Sequence, residues 1–330
     1  MKLLRACQLL ITTFATLCST TAFANTKYKL CAVYPHLKDS YWISVNYGMV
    51  KAAIKEDITL RVFESGGYPN LKKQQAQIKY CAKWGADAIL LGTVDPNAYH
   101  NGFNDLVGPI PVFAIVNQLN LDLGYNLHGR VGADWYDMGF LVGQKLSELH
   151  PKGSKQAKIA LLPGPKSSGG TKPVLEGLND ALTNSSAKVT SIHWADNDKE
   201  LQRNLVQEII DSEEVDYIVG SAVAIEVAIS ELRAANRLEE IGLLSTYLSH
   251  GVYRGLIRGK VLFSPTDLMV KQGEASILQA VSHLSGKTQD YSISPTIIGL
   301  EPDSLDSQVI QQSLSPSEFR PTFILNSEQN

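Results

Sequence analysis

The hydrophobic and polar positions of this chain follow two patterns in turn, a short apolar run and then a longer segment with apolar residues three or four positions apart. Short runs bounded by turn residues are typical of buried strands, and the longer spacing is typical of helices that bury one face. Residues 29–34 form the first run. The segment after it has helical spacing at Trp42, Val45, Met49 and Ala53. The chain is therefore predicted to begin with a strand and a helix, the helix capped by Asp39 or Ser40.

The same alternation continues along the chain. The further predicted strands are residues 60–63, 87–92, 111–116, 129–132, 158–162, 189–194, 217–219 and 241–245. The predicted helices are residues 71–82, 135–149, 171–182, 199–210 and 222–235. Strands that alternate with helices predict parallel sheets covered by helices on both faces, which is an α/β fold.

The length indicates more than one core. The 306 residues after residue 24 are many for one hydrophobic core and suit two domains. We predict two similar doubly wound lobes, the N-terminal lobe of residues 25–126 with 264–290 and the C-terminal lobe of residues 127–263 with 291–330. Because no low-complexity linker separates them, short crossover strands are predicted to form the hinge.

Residues 1–24 have the layout of a cleavable secretory signal. The basic start Met1-Lys2-Leu3-Leu4-Arg5 precedes mostly apolar and small residues and then Ala22-Phe23-Ala24. A permanent anchor needs about 20 apolar residues, whereas this stretch is short and rich in Thr and Ser, and no later stretch approaches that length. The sequence predicts export to the periplasm, cleavage after Ala24 and no membrane insertion.

The charge balance after removal of residues 1–24 is mildly acidic, with 28 basic residues against 33 acidic ones. An acidic chain without runs of basic residues argues against nucleic acid or anionic lipid as a partner. Only Cys31 and Cys81 follow the signal. In an oxidising compartment they could form one disulfide, and two buried thiols are the alternative. Their spacing does not fit a metal site, and we predict no metal and no cofactor.

Aromatic residues follow several predicted strands. Ligands of open α/β sheets bind outside the carboxyl ends of the strands. Four loops at such ends contain Trp or Tyr, at residues 38–42, 64–68, 133–136 and 246–249. An aromatic residue in one loop is usually a packing residue, but four on one rim predict an aromatic cleft. Such rings suit sugars, and they also suit compact cationic or strongly dipolar methylated amines. Asp39 is either a neighbour of the ligand or a helix cap.

Signatures of catalysis are missing from the sequence. The loop at residues 163–172 contains Gly and Lys but lacks the spacing of a phosphate-binding loop. We find no Gly-x-Ser-x-Gly and no His-Glu-x-x-His. Ser249 and His250 are adjacent, and adjacent side chains rarely form a nucleophile and base pair. We predict a binding protein and not an enzyme.

The order of units resembles the type I periplasmic binding proteins, the superfamily of ribose-binding proteins and the LacI core. Longer runs resemble the members of this family that sense trimethylamine N-oxide. These runs are residues 30–42, 74–78, 196–205, 247–256 and 313–321. The resemblance implies two lobes, trimethylamine N-oxide as the ligand, and the periplasmic domain of a sensor histidine kinase as the partner in a two-component system.

The resemblance also implies an aromatic cage. Its matching positions are Trp42, Tyr68 and Trp135, with Tyr41, Asp39 and Tyr247 as neighbours. Sugar binders of the superfamily usually have an Arg where Lys172 and Pro173 stand here, and this departure disfavours a sugar. The alternative function is a solute receptor for an ABC transporter that takes a sugar or a small amine.

Overall fold

A computed structural model describes residues 28–121, 126–166 and 169–326. The predicted secretory signal at residues 1–24 lies outside these residues. Within them, the chain forms a seven-stranded sheet, a four-stranded sheet and a two-stranded pair. Helices cover the two larger sheets, and the fold class is the α/β arrangement of two lobes that the alternation of strands and helices predicted.

The first sheet has the strand order β11-β5-β4-β3-β1-β2-β13. Its strands are β1 (Lys29–Tyr34), β2 (Thr59–Glu64), β3 (Ala88–Leu91), β4 (Val112–Ile115), β5 (Leu127–Val131), β11 (Ser292–Ile293) and β13 (Ile324–Leu325). The pairs are parallel except that β13 runs antiparallel to β2. Its helices are α1 (Ser40–Lys55), α2 (Leu71–Trp84), α3 (Phe103–Val107) and α9 (Met269–Leu284).

Both faces of this first sheet are buried, as the continuous apolar run of β1 indicates. Successive side chains of a strand point to opposite faces. Leu30 and Ala32 join the core cluster that contains α1 and α9, whereas Cys31 and Val33 join the cluster that contains α2 and α3. Cys31 and Cys81 form a disulfide with a Cα–Cα distance of 5.8 Å, which ties α2 to β1.

The second sheet has the order β7-β6-β8-β9 and is parallel throughout. Its strands are β6 (Ala157–Gly164), β7 (Ala187–Trp194), β8 (Tyr217–Gly220) and β9 (Gly242–Ser245). The helices of this part are α4 (Trp135–Leu149), α5 (Thr171–Ala181), α6 (Lys199–Ser212), α7 (Ala222–Ala234) and α8 (His250–Ile257). Two short strands, β10 (Ser264–Thr266) and β12 (Ile298–Leu300), pair antiparallel, and α10 (Ser307–Ser313) follows them.

Strand pairing differs from the division of the lobes that the sequence suggested. That division assigned residues 127–263 and 291–330 to the C-terminal lobe, but β5, β11 and β13 are hydrogen-bonded into the first sheet. A hydrophobic pattern identifies a strand without specifying which sheet it joins. We therefore propose lobe boundaries that follow the pairing, with β5, β11 and β13 in the first lobe.

The two lobes touch beside the cleft between them. The backbone N–H of His250 at the start of α8 donates to the Ser40 hydroxyl at the start of α1, over 2.9 Å. The Lys38 ammonium lies 3.7 Å from the Asp198 carboxylate. Loops at the carboxyl ends of both sheets therefore face one another.

Candidate ligand-binding site

A cavity lies between the two sheets, where the loops from their carboxyl ends converge. Its walls include all six residues that the sequence analysis singled out: Asp39, Tyr41, Trp42, Tyr68, Trp135 and Tyr247. The cavity is small, because the centre of a water molecule can occupy only about 40 Å³ of it. One water needs about 10–15 Å³ by the same measure. The space therefore fits a compact ligand of a few heavy atoms.

The first turn of α1 directs two rings into this cavity. Asp39 has an extended backbone and caps the helix, and its Oδ1 accepts from the backbone N–H groups of Tyr41 (3.1 Å) and Trp42 (3.3 Å). A carboxylate cap of this kind fixes the path of the chain at the helix start. Asp39 is therefore the helix cap and also lines the cavity.

Four rings contact one another around the cavity. The Tyr41 ring centroid lies 5.3 Å from that of Tyr247 and 6.1 Å from that of Trp135. Tyr41 also lies edge-on to Trp42 at 6.0 Å, and Trp135 is perpendicular to Tyr247 at 6.3 Å. These spacings are those of attractive aromatic pairs. We call these four rings the cage, and Tyr68 of the predicted set lines the cavity beside them. Because Tyr41 and Trp42 lie on α1 and the other two rings follow β5 and β9, the cage draws on separate segments of the chain.

Hydrogen bonds fix the orientation of two cage rings. The Tyr41 hydroxyl donates to Asp267 Oδ2 over 2.5 Å, and the Trp135 Nε1–H donates to the Val116 carbonyl over 3.2 Å. Asn117 Nδ2 donates to the Thr93 carbonyl at 2.7 Å and lies 3.5 Å from the Tyr68 hydroxyl. The polar ends of Tyr41 and Trp135 are thus engaged with the protein.

Tyr247 differs from the other cage residues. Its hydroxyl is buried and makes no hydrogen bond in ordinary geometry to a described residue, although the Ser221 side chain lies close enough to interact with it. A buried hydroxyl without a partner costs free energy, so this group is free to donate to a ligand. Burial, followed by the nearby carboxyl of Asp39, raises the pKa of Tyr247 well above its usual value, so the phenol keeps its proton.

Two buried carboxyl groups flank the cage. Burial raises the pKa of Asp39 and of Asp267 above the usual value for an aspartate. At Asp39 the neighbouring His36 and the backbone N–H groups of Trp42 and Tyr41 oppose that rise. A positive group in the cavity would stabilise the ionised form of the Asp39 carboxyl, which lines the cavity. The wall of the cavity therefore combines aromatic rings with one buried carboxyl group.

The comparisons with known proteins agree with this architecture. Residues 27–322 match the family described as periplasmic binding proteins and sugar binding domain of LacI family. The periplasmic protein TorT of Escherichia coli strain K12 is 41% identical over 314 residues, which cover 94% of this chain and 88% of the relative. The chain belongs to the TorT group of the periplasmic binding proteins. Members of this group are periplasmic, and so is this protein.

Solved structures extend the comparison. The TorS sensor domain–TorT complex in the presence of TMAO contains a chain with 57% identity and a TM-score of 0.85, covering 90% of this chain and 100% of that one. An ABC transporter solute binding protein from Bradyrhizobium sp. BTAi1 with bound Bis-Tris is 30% identical, with a TM-score of 0.74 and coverage of 90% and 89%. The likeness to the TorT chain is therefore the stronger of these two.

Several cavity residues were absent from the sequence-based set. The added wall residues are Val116, Asn117, Pro163, Pro165, Gly170, Thr171, Val174, Asn197 and Thr246. Asn117 is the second residue after β4, so inspection of that strand end would have found it. Asp267, which orients the Tyr41 ring and is not one of the wall residues, follows β10, whose sequence Ser-Pro-Thr lacks the apolar run that marks a strand. It escaped detection because nothing local indicated a strand end.

No helix within residues 28–121, 126–166 and 169–326 is long and apolar enough to cross a membrane. In the same described ranges, no group of three or more His, Cys, Asp and Glu side chains is arranged to hold a metal ion.

Proposed function

We propose that this TorT-group protein binds trimethylamine N-oxide in the aromatic cage and signals to the periplasmic domain of the sensor histidine kinase TorS in a two-component system. The observation that carries the proposal is the cage itself, in which the rings of Tyr41, Trp42, Trp135 and Tyr247 meet around a small space beside the Asp39 carboxyl. The solved complex of the related TorT with the TorS sensor domain and TMAO supports both the ligand and the partner.

The chemistry of the ligand fits the walls of the cavity. Trimethylamine N-oxide has a positive trimethylammonium shell and one negative oxygen. Aromatic faces attract such a methylated cation through their quadrupoles, by roughly 2 kcal/mol when it is desolvated. The oxygen accepts a hydrogen bond, and the free Tyr247 hydroxyl is the donor that we assign to it. With five heavy atoms, the ligand also suits the restricted volume better than a sugar ring.

Signalling requires that the ligand bind one arrangement of the lobes more tightly than another. The cage combines α1 of the first lobe with the loop after β9 of the second, so a ligand that contacts both favours the closed arrangement. TorS in turn would sense that arrangement. Because coupling is reciprocal, the two effects should be equal in size. The sensor domain should raise the affinity for trimethylamine N-oxide by the same factor by which trimethylamine N-oxide raises the affinity for the sensor domain.

We assign binding and not catalysis to this cavity. The described residues that line it include no histidine, cysteine or lysine. Its carboxyl group, Asp39, is committed to capping α1. A nucleophile activated by a neighbouring base, which covalent catalysis needs, is therefore not among the wall residues within the described ranges.

The test is calorimetric titration with trimethylamine N-oxide, with and without the TorS sensor domain. Tyr247→Phe removes only the free hydroxyl, and we expect affinity to fall by about tenfold or more, because a hydrogen bond to a charged acceptor contributes about 1.5–3 kcal/mol. Tyr217→Phe is the matched control, since its hydroxyl bonds His150 away from the cavity. tert-Butanol, which has the same shape without the charge, should bind more weakly. No saturable heat in either setting would overturn the ligand assignment.

Transport is the alternative function, and the 30% identity to an ABC transporter solute binding protein is the observation that favours it. A transport receptor delivers its ligand to a permease and needs no kinase. Saturable binding of trimethylamine N-oxide that is unaffected by the TorS sensor domain, together with ligand uptake that depends on this protein, would favour transport over sensing.

A further inference from the structure

A groove on the second lobe gathers positive charge that is dispersed in the sequence. Helices α6, α7 and α8 form its walls, and it has about 890 Å³ of free space including its open mouth. Six basic side chains line this surface, which we call the arginine groove: Lys199, Arg203, Arg233, Arg254, Arg258 and Lys260. Glu226 and Glu231 are the acidic residues on its walls. The basic residues outnumber the acidic ones by four.

Ion pairs account for only half of these cations. Lys199 pairs with Glu226 at 3.2 Å, Arg203 pairs with Glu200 and Glu231, and Lys260 pairs with Glu239. Among the described residues, Arg233, Arg254 and Arg258 have no ion pair and no side-chain hydrogen bond, and all three are exposed. The groove therefore presents three arginines whose charge the protein itself does not neutralise.

Helix geometry explains part of this arrangement. Arg233 lies in the last turn of α7 and Arg254 in that of α8, where positive charge interacts favourably with the helix C-terminus. Arg254 and Arg258 are four positions apart and share one face of the chain, which brings like charges together at a small cost. The C-termini of α7 and α8 account for one cation each. They do not account for three unpaired arginines in one groove of a chain whose net charge is −3.

The groove is connected to the ligand cavity through Glu226. Its Oε2 lies 3.2 Å from the Lys199 ammonium on the groove side. Its Oε1 accepts from the Ser249 hydroxyl over 2.5 Å, and Ser249 caps α8 two residues after the cage residue Tyr247. A carboxylate thus joins the groove to the loop that holds one cage ring.

We propose that the arginine groove docks an acidic segment of the TorS sensor domain, with the free guanidinium groups of Arg233, Arg254 and Arg258 pairing with its carboxylates. This inference rests on the proposed function and adds the surface of contact and its charge. Arginine suits the role because its planar group binds a carboxylate through two parallel hydrogen bonds. The link through Glu226 places the docked segment where it senses the cage loop.

The experiment measures sensor-domain affinity for the charge-reversed double variant Arg254→Glu/Arg258→Glu, with trimethylamine N-oxide present. Lys152→Glu/Lys155→Glu is the matched control, since it changes the net charge equally at an exposed turn elsewhere on the same lobe. We expect the first pair to lower affinity by about tenfold or more and the control to change it little. Arg254→Gln/Arg258→Gln should give a smaller loss. Raising salt from about 50 to about 500 mM should weaken the wild type more than the reversed variant.

Three outcomes would overturn the inference. One is equal loss in the control pair, which would reflect net charge alone. Another is unchanged affinity of the reversed variant, with trimethylamine N-oxide binding intact to show that it is folded. The third is a role in lipid binding: the wild type binds vesicles with anionic lipid, the reversed variant does not, and the two bind the sensor domain with the same affinity. Failure of the wild type to bind the sensor domain would instead overturn the proposed function.

The Glu226 link has its own test. Glu226→Gln keeps the size of the side chain and removes its charge. We expect the ratio of trimethylamine N-oxide affinities with and without the sensor domain to move toward one, because the coupling between the two sites is weakened. The affinity without the sensor domain should change less than that ratio. An unchanged ratio would show that Glu226 does not connect the groove and the cage.

Discussion

The phenol oxygen of Tyr41 lies 2.5 Å from Oδ2 of Asp267, although 226 positions separate the two residues in the chain. Tyr41 belongs to the first turn of α1, and Asp267 directly follows β10 where the chain enters α9. Both side chains are buried. This bond holds a cage ring against a segment next to a short crossover strand, so the shape of the cage depends on how that segment is placed.

Removal of this bond should lower stability. Tyr41→Phe leaves the buried Asp267 carboxyl without its donor, and we expect the free energy of unfolding to fall by about 1–3 kcal/mol. Urea denaturation measures the change. Tyr80→Phe is a suitable control, because the Tyr80 hydroxyl bonds Arg61 in an exposed position, where a loss should stay within about 0.5 kcal/mol. Equal losses in the two variants would contradict a special role for the Tyr41–Asp267 pair.

Stability should depend on pH through Asp267. Burial raises the pKa of this group in the folded protein, whereas an unfolded aspartate titrates near about 3.9. The folded state then binds more protons between the two pKa values, so the contribution of Asp267 to stability is present at low pH and is lost as pH rises through its folded pKa.

The comparison with Asp267→Asn isolates this effect from the other carboxyl groups. We expect the free energy of unfolding, measured in urea at about pH 4.5 and about pH 7.5, to favour the wild type over the variant more at the lower pH. A larger stability advantage of the wild type at the higher pH would show that folding lowers the pKa of Asp267 and does not raise it.

Loss of the Cys31–Cys81 disulfide should also destabilise the protein. The bond spans a sequence separation of 50, and the chain-entropy model gives a contribution of about 4 kcal/mol for a loop of that length. We expect Cys31→Ser/Cys81→Ser to unfold at clearly lower urea concentration than the wild type. A reducing agent should have the same effect on the wild type and none on the double variant. Equal midpoints with and without reductant would mean that the thiols are not bonded in the protein as prepared.

Glycines set the close packing of one helix pair in each lobe. A Cβ atom at Gly48 of α1 would lie 2.0 Å from the Val270 carbonyl oxygen of α9, and one at Gly139 of α4 would lie 1.9 Å from that of Val174 in α5. Gly48→Ala and Gly139→Ala should each lower the free energy of unfolding by about 1–3 kcal/mol or more, since backbone must move apart. Ser282→Ala on α9 is the control, and it should lower the free energy of unfolding little. Thermal or urea unfolding measures all three.

Local pattern was sufficient to predict much of the fold. The strand at residues 29–34 and the capping of α1 by Asp39 or Ser40 agree with β1 and with Asp39 as the observed cap. Gly85 ends α2 in a left-handed conformation at φ 77°, as expected of a glycine after a helix. These features depend on residues close in the chain, so the sequence expresses them directly. The aromatic residues after four strands were also visible, because parallel strands bring their carboxyl ends to one edge.

The sequence alone could not supply the relations between distant segments. β5 joins the first sheet, and Asp267 meets Tyr41, because the chain crosses between lobes and packing selects the partners. The arginine groove was also hidden, since its cations come from three helices and no run of basic residues marks them. Hydrophobic periodicity determines which elements form and which face each buries, but pairing and long-range contacts depend on the free energy of the assembled core, which only the tertiary structure decides.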